Sequence, residues 1–552
     1  MLKTFDWKGF NTFACETINI IQIMKIRHIY FFLFTFISSI SFSGCQNDAA
    51  VKEERPNIII ILADDMGYSD VGAFGGEIHT PALDKLAQNG LRLTQFYNTA
   101  KCFTTRAELM TGRYAYQVDM GTSPDTFALN NVTIAEALSE AGYRTLMSGK
   151  WHGKDHPMDR GFDRYYGLRD GAVNFWNPGE KREGEPMPGR KQHMFPRTWC
   201  IDSMVYQPYT PEDPDFYATD AYTDRAIEYL ETYQDEEKPF FLYLAYTAPH
   251  YPLHAWPEDI KKYRGNYMIG WDSLRQQRFQ RITELGLFGE DLVLPEKDPD
   301  SPAWESLSDS LKDDEDLHMA VYAAMVDRMD QNIARLMEKL NELGDAENTV
   351  IMFMSDNGAC AESANFTPDV KPGPVESYRS LDLPWAHATN APFRKYKNHD
   401  YEGGICTPFI YYDPRNNHNT GNYIDFPAHL IDLMPTCLEL AGAEYPGKYH
   451  GNDIPDMEGI SILSALNGEE TQRDEPIFFQ WSNSQAVRLG DWKLVSYVNE
   501  PWDLFNIHED RTEIHDVSGE HPEMVKKLDS IYHSWADRTG AKPKDETYRL
   551  TY

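Results

Sequence analysis

Several short stretches of this chain carry side chains able to do chemistry on an anion. Asp64-Asp65 and Asp356-Asn357 offer only oxygen, the ligand set of a hard cation such as calcium or magnesium, for which a thiol is a poor partner. Cys102 opens the run Cys-Phe-Thr-Thr-Arg-Ala-Glu-Leu-Met-Thr-Gly-Arg, with Arg106 about one helical turn further on. Lys150 and His152 stand in Gly-Lys-Trp-His, His250 in Ala-Pro-His, and Lys397 shortly before Tyr401-Glu402-Gly403-Gly404. Singly, each is ordinary: an Asp pair as a solvated turn or helix cap, a Lys on a solvated face, a His in the core. Brought together, the cations beside an acidic metal cluster can hold the oxygens of a tetrahedral anion and protonate a leaving group. A helix N-terminus at Cys102 would add its own attraction for that anion.

The elements needed to bring them together are legible. Residues 57–62 form a continuous apolar, β-branched run, as expected of a strand buried on both faces, and it ends in Ala63-Asp64-Asp65. Thr80-Pro81 reads as an N-cap and first-turn proline for a helix to about residue 88, closed by Asn89-Gly90. A helix over 133–141 and a strand near 145–148 lead into Gly149-Lys150-Trp151-His152; a buried strand over 239–246 leads into Ala248-Pro249-His250. Val326, Met329, Ile333, Leu336, Leu340 and Leu343 mark one face of a long helix closed by Gly344, and a strand over 349–354 ends in Ser355-Asp356-Asn357-Gly358. The chemistry thus falls at the C-terminal ends of strands, where open α/β sheets bind ligands. From about residue 475 the pattern changes to short strands (476–481, 485–489, 492–498, 502–507) and a closing helix near 521–535. The expected division is a catalytic domain over 54–470 and a smaller α+β subdomain over 471–552.

Composition bounds the function. With 41% hydrophobic and 13% aromatic residues in 552, the chain can bury a large core. Its 52 basic against 86 acidic residues give a net charge of -34, which opposes nucleic-acid binding. An anionic substrate must therefore be drawn by a local cation cluster or a metal. From Met24, a basic start, an apolar stretch over 29–42 and Phe42-Ser43-Gly44-Cys45 describe a secretory signal over 24–45, too short to span a bilayer comfortably. Its end looks like a bacterial lipobox, implying a lipid anchor at Cys45 and an exported lipoprotein at the periplasm, outer membrane or cell surface; an ordinary cleaved signal is the alternative. Residues 1–23 read as a mis-set start. Beyond Cys15 and Cys45, the remaining Cys102, Cys200, Cys360, Cys406 and Cys437 are odd in number and form no CxxC pair, so zinc knuckles are not expected.

The Cys102 run resembles the signature of the type I sulfatases, in which the leading Cys or Ser is oxidised to formylglycine. Thr104 stands where that signature carries Pro. The resemblance extends over most of residues 56–540, through Asp64-Asp65-Met66-Gly67, Gly149 to His152, Arg160-Gly161-Phe162-Asp163, Ala248 to His250, Ser355 to Gly358, Asn390 to Arg394 and Glu402-Gly403-Gly404, to Trp492-Lys493-Leu494. Cys406 stands where the family commonly has Arg. The resemblance implies an alkaline-phosphatase-like fold: a large central mixed, mostly parallel sheet sandwiched by helices, with a smaller C-terminal α+β domain built on an antiparallel sheet. It implies a sulfuric ester hydrolase, arylsulfatase-like, with one calcium held by Asp64, Asp65, Cys102 as formylglycine, Asp356 and Asn357. It further implies Lys397 and Lys150 on the sulfate oxygens, His250 as acid for the leaving alcohol, His152 as base at the hydrate, and Arg106 with Lys150 polarising it. Implied partners are a sulfated carbohydrate or aryl sulfate substrate and a formylglycine-generating or anaerobic sulfatase-maturing enzyme. Two other readings stay open: a phosphate mono- or diester hydrolase of the same superfamily, and an unmatured, non-catalytic glycan-binding lipoprotein. Phe175, Trp176 and Trp199, in the aromatic stretch 170–220, serve either as sugar-stacking platforms at the rim or as loop packing.

Overall fold

A computed structural model describes residues 55–542 except 191–195, 290, 417–419 and 498–499. The start at 1–23, the signal over 24–45 and Cys45 lie outside the described residues.

The β-branched run becomes the middle of an 11-stranded sheet. In chain order its strands are β1 (Asn57–Asp64), β2 (Leu91–Tyr97), β3 (Arg144–Gly149), β4 (Arg164–Leu168), β5 (Trp199–Ile201), β6 (Met204–Tyr206), β7 (Phe240–Pro249), β8 (Thr349–Ser355), β9 (Cys406–Tyr412), β10 (Tyr423–Ile424) and β11 (Ala428–His429). The spatial order is β10-β2-β9-β8-β1-β7-β3-β4-β5-β6, with β11 also on β2. β8, β1, β7, β3 and β4 run parallel, so their C-terminal ends share one edge. The antiparallel pairings lie outside this block, where β9 joins β8 to β2 and β5 and β6 extend the other flank.

Alternation along β1 divides the core into two layers. Ile59, Ile61 and Ala63 pack with the helices Ala218–Tyr233 and Asp309–Leu343, whereas Ile58, Ile60 and Leu62 pack with the helices Cys102–Thr111, Ile134–Glu140 and Leu433–Ala441. Helices therefore cover both faces, and all eight residues of β1 are buried. The long helix starts well before the apolar stripe that announced it. Ser308 caps it by accepting from Leu311 N, and Gly344 closes it at φ 83°. One expectation is corrected. Thr80 does not cap the helix Pro81–Asn89, because its hydroxyl accepts from Gly72 N at 2.9 Å. The cap comes from Asp330 of the long helix, whose carboxylate accepts from Ala82 N at 3.0 Å and Leu83 N at 2.8 Å.

The aromatic stretch resolves as packing. Phe175 and Trp199 are 1% exposed, with Trp199 stacked on Tyr209 and Tyr222 and Phe175 on Tyr217. The indole of Trp176 packs against Tyr217 and Trp256 and donates to Gly373 O at 2.8 Å.

At the C-terminal end, Ile477–Trp481, Ser484–Leu489, Trp492–Tyr497 and Asp503–Asn506 form an antiparallel sheet backed by the helix Pro522–Thr539. A buried charge cluster joins it to the large sheet. Lys493 Nζ pairs with Glu402 at 2.8 Å and Glu513 at 2.7 Å, and Arg511 pairs with the other oxygen of Glu402. Burial alone would raise Glu402, but Arg511, Lys493 and Arg488 hold its carboxyl down at about 2. Arg511 Nη2 lies 3.2 Å from Cys406 Sγ, so the charge absent at Cys406 is supplied from across the chain. Arg511→Ala strips a buried carboxylate of a partner and should cost about 3 kcal/mol in urea unfolding. Cys406→Arg added to Arg511→Ala should recover part of that loss, although Cys406→Arg alone crowds a filled core.

Candidate active site

Parallel strands place the acidic pairs side by side. β1 delivers Asp64 and Asp65, and its neighbour β8 runs into Asp356 and Asn357. Asp65 N donates to Asp356 Oδ1 at 3.1 Å, and Asn357 Nδ2 to Asp65 Oδ1 at 2.6 Å. Glycine makes the adjoining turn possible: a Cβ on Gly358 would lie 1.9 Å from Gly403 O, and one on Gly404 1.9 Å from His399 O. The Glu402-Gly403-Gly404 motif is thus a seat for the Asn357 turn, closed by a Gly358 N to Gly404 O hydrogen bond of 3.1 Å.

Cys102 is the first residue of the helix Cys102–Thr111 and is buried. Its Sγ lies 3.1 Å from Lys397 Nζ and 3.8 Å from Asp65 Oδ1. Arg106, one turn along, grips Asp356 Oδ2 through Nε at 3.1 Å and Nη2 at 2.8 Å, while Nη1 donates to Lys150 O at 3.0 Å. Lys150 Nζ meets Asp64 Oδ2 at 2.5 Å, Lys397 Nζ meets Asp65 Oδ1 at 2.5 Å, and His250 Nε2 sits 3.4 Å from Asp65 Oδ2. His152 is set slightly apart, its ring 5.8 Å from that of Phe103, which follows Cys102. The site backbone is held in the left-handed region at Asp65 (φ 66°), Ala100 (φ 51°), His152 (φ 67°) and Asn398 (φ 75°), a concentration of strain that folds tolerate where a site requires it.

The charges are unequal in their comfort. Burial and the neighbouring Asp356 and Asp64 push the Cys102 thiol far up, so as a cysteine it stays protonated despite Lys150 and Lys397. Burial and Asp64 raise Asp356 to about 6, opposed by Arg106 and Lys150. Burial would raise Asp65 too, but Lys397 and His250 hold it well below the usual carboxylate range. His250 is driven down to about 3 by burial and by Lys397 and Lys150, against the pull of Asp65, and is neutral at rest. His152 is likewise lowered, by burial and then Lys150 and Arg106.

Three buried oxygens, Asp64 Oδ1, Asp65 Oδ2 and Asn357 Oδ1, accept no hydrogen bond among the described residues. Asp64, Asp65, Cys102 and His250 bring donor atoms within 4.8 Å of one another, a grouping a metal ion can use. Unsatisfied, fully buried carboxylate and amide oxygens are costly, and a hard cation is the partner that suits an oxygen set. All the expected site residues therefore come to one edge. Lys101, Tyr251, Glu362 and Asn398 surround the same centre and carry no pattern of their own in the sequence. The described cysteines are all free thiols.

Thr104 lies in the first helical turn, where its N–H is not part of the helix ladder and its hydroxyl donates to Lys101 O at 2.7 Å. Thr104→Pro should therefore fold with a stability change of about 1 kcal/mol or less.

A parallel-centred α/β sheet with an acidic, cation-lined site on its C-terminal edge is an arrangement suited to hydrolysing an anionic ester. The sulfatase family model matches residues 56–443. The chain is 31% identical over 540 residues to an uncharacterized sulfatase of Schizosaccharomyces pombe, covering 89% of this chain and 95% of that one. It is 33% identical over 447 residues to an arylsulfatase of Klebsiella aerogenes, covering 76% and 93%. Among solved structures, Ps i-CgsB in complex with k-i-k-neocarrahexaose superposes with a TM-score of 0.65 at 27% identity, over 89% of this chain and 95% of that one. The chain belongs to the sulfatase family and is a sulfuric ester hydrolase.

Proposed function

We propose that this sulfatase removes sulfate esters from carbohydrates, using formylglycine made from Cys102 and one calcium ion held by Asp64, Asp65, Asp356, Asn357 and the oxidised residue 102. One observation carries the reading: the Cys102 thiol lies buried 3.1 Å from Lys397 Nζ and 3.8 Å from Asp65 Oδ1, in a nest of unsatisfied oxygens where a thiol is a poor hard-metal ligand. The thiol makes sense as a precursor. Oxidised, residue 102 would present the two hydroxyls of a hydrated aldehyde, an oxygen nucleophile with a built-in route for expelling sulfate. Calcium, when bound, supplies positive charge against the ester oxygens.

The chain's own residues do the rest. Lys397, beside residue 102, and Lys150, on Asp64, present ammonium groups to the entering sulfate. Arg106 fixes Asp356 through Nε and Nη2, and that carboxylate is the acceptor for the nucleophile's proton. His250 is neutral at rest, and the negative charge of a bound ester gives its ring a reason to take up the proton it then donates to the leaving oxygen. His152, kept neutral by burial and then by its cationic neighbours, is the base that collects a proton when sulfate departs.

Carbohydrate is favoured by the company the fold keeps. Ps i-CgsB carries a neocarrahexaose, and another structure of the fold (TM-score 0.60, 21% identity) carries D-glucosamine-2-N,6-O-disulfate. Export as a lipoprotein anchored at Cys45, with a maturing enzyme acting on the Cys102 segment, fits extracellular glycan breakdown. The test is a panel of sulfated mono- and oligosaccharides scored by sulfate release beside 4-nitrophenyl sulfate and 4-nitrophenyl phosphate. Turnover of at least one glycan sulfate is expected; activity on the aryl sulfate alone refutes the carbohydrate assignment, and preference for the phosphate refutes the sulfate ester.

A further inference from the structure

One carboxylate beyond the metal nest touches the chain neighbours of three reacting groups. Glu362, on the segment that follows Asp356 and Asn357, accepts from Lys101 Nζ at 3.2 Å and Asn398 Nδ2 at 2.9 Å through Oε1, and from Tyr251 Oη at 2.9 Å through Oε2. Lys101 precedes Cys102, Asn398 follows Lys397 and Tyr251 follows His250. We propose that Glu362 is a positioning residue of the sulfuryl-transfer site, locking the segments of Cys102, Lys397 and His250 into one frame with the segment of Asp356 and Asn357.

The path to His250 is the most direct. Glu362 fixes the Tyr251 phenol, and the Tyr251 carbonyl accepts from His250 Nδ1 at 2.6 Å. That bond sets the tautomer and leaves Nε2 facing the site, 3.4 Å from Asp65. The phenol ring also packs on the imidazole, with centroids 4.2 Å apart. On the other side, Lys101 lies over the Trp481 ring at 5.6 Å, and the Trp481 indole donates to Asn398 Oδ1 at 2.9 Å. The frame thus reaches the C-terminal sheet. Glu362 stays charged within it, because Lys101, Lys397, Asn398 and Tyr251 outweigh its burial. Its side chain is 25% exposed, which places it at the mouth of the site rather than among the metal oxygens.

A tether that aims the acid matters most where the leaving group needs a proton. The inference rests on the sulfatase reading and on His250 as acid, but its test compares two substrates of one reaction. In Glu362→Ala, kcat on an unactivated sugar sulfate should fall about 30-fold or more, since small misplacements of reacting groups cost up to about 100-fold. On 4-nitrophenyl sulfate, whose leaving group departs without help, the fall should be about threefold. Glu362→Gln, which keeps the shape and one acceptor oxygen, should lie between the two on both counts, and it stands in should the alanine variant fail to fold. Formylglycine content by mass spectrometry and bound calcium should match the parent. Equal losses on the two substrates, or no loss on either, overturn the proposal. Failure of the parent to turn over any sulfate ester would instead overturn the reading beneath it.

Discussion

Cys102→Ala will fold, bind calcium and release no measurable sulfate. The side chain is small, and the polar neighbours of its sulfur at contact distance are Lys397 and Asp65, so the stability change should stay within about 1 kcal/mol. The kinetic effect is of another order. Acid, base and nucleophile here act as one unit, and removing the nucleophile from such a unit costs up to about a millionfold in kcat, with positioning and electrostatics leaving a small remainder. A fall of at least about 10,000-fold on 4-nitrophenyl sulfate is expected by that measure. The companion measurement is the mass of the peptide containing residue 102 from the parent protein, which should lack the cysteine sulfur and carry a hydrazide-reactive aldehyde. A variant within tenfold of the parent, or a parent peptide carrying only thiol in an active preparation, would remove residue 102 from the chemistry.

The centre of this site was readable because its signals are local. A β-branched run followed at once by two aspartates announces a buried strand and what its end presents, and β8 with Asp356 and Asn357 repeats the device. Parallel neighbours then bring the two ends together without further information. What stayed hidden depends on contacts between distant parts of the chain. Glu362 and Lys101 are 261 positions apart, and nothing around either residue marks it. The exchange that lets Cys406 stand in place of Arg works only because Arg511, 105 positions on, reaches the same spot. The cap on the helix Pro81–Asn89 comes from Asp330, which made the local Thr80-Pro81 signal misleading about the donor's partner though right about the helix start. Aromatic content alone could not separate rim from core; burial of Phe175 and Trp199 does. The flanking strands β4, β5, β6, β10 and β11 are two to five residues long, too short to show periodicity.

Removing the divalent cation should abolish activity and also loosen the protein. Asp64 Oδ1, Asp65 Oδ2 and Asn357 Oδ1 lie buried without hydrogen bonds, so the metal-free state leaves at least two carboxylates short of compensation near each other. Lys150, Lys397 and Arg106 offset part of this. Burial and the neighbouring Asp64 still raise Asp356, against Arg106 and Lys150. A cation that binds only the folded state adds about 4 kcal/mol at a thousandfold excess over its dissociation constant. Spread over a unit of this size, whose unfolding entropy is roughly 2 cal/mol/K per residue, that amounts to a fall in Tm of about 4 °C on chelation. Calcium should restore both Tm and turnover. Zinc should restore less of either, because with residue 102 oxidised the nest presents mainly carboxylate and amide oxygens, with the His250 imidazole beside them. Asn357→Ala ties the two effects to one site: it would remove one neutral oxygen of the proposed nest without altering the charge. Turnover should return at higher calcium concentration, with the Tm rise on calcium addition reduced in step. If chelation leaves both Tm and turnover where they were, those oxygens need another partner, and the assignment of a cation to them fails.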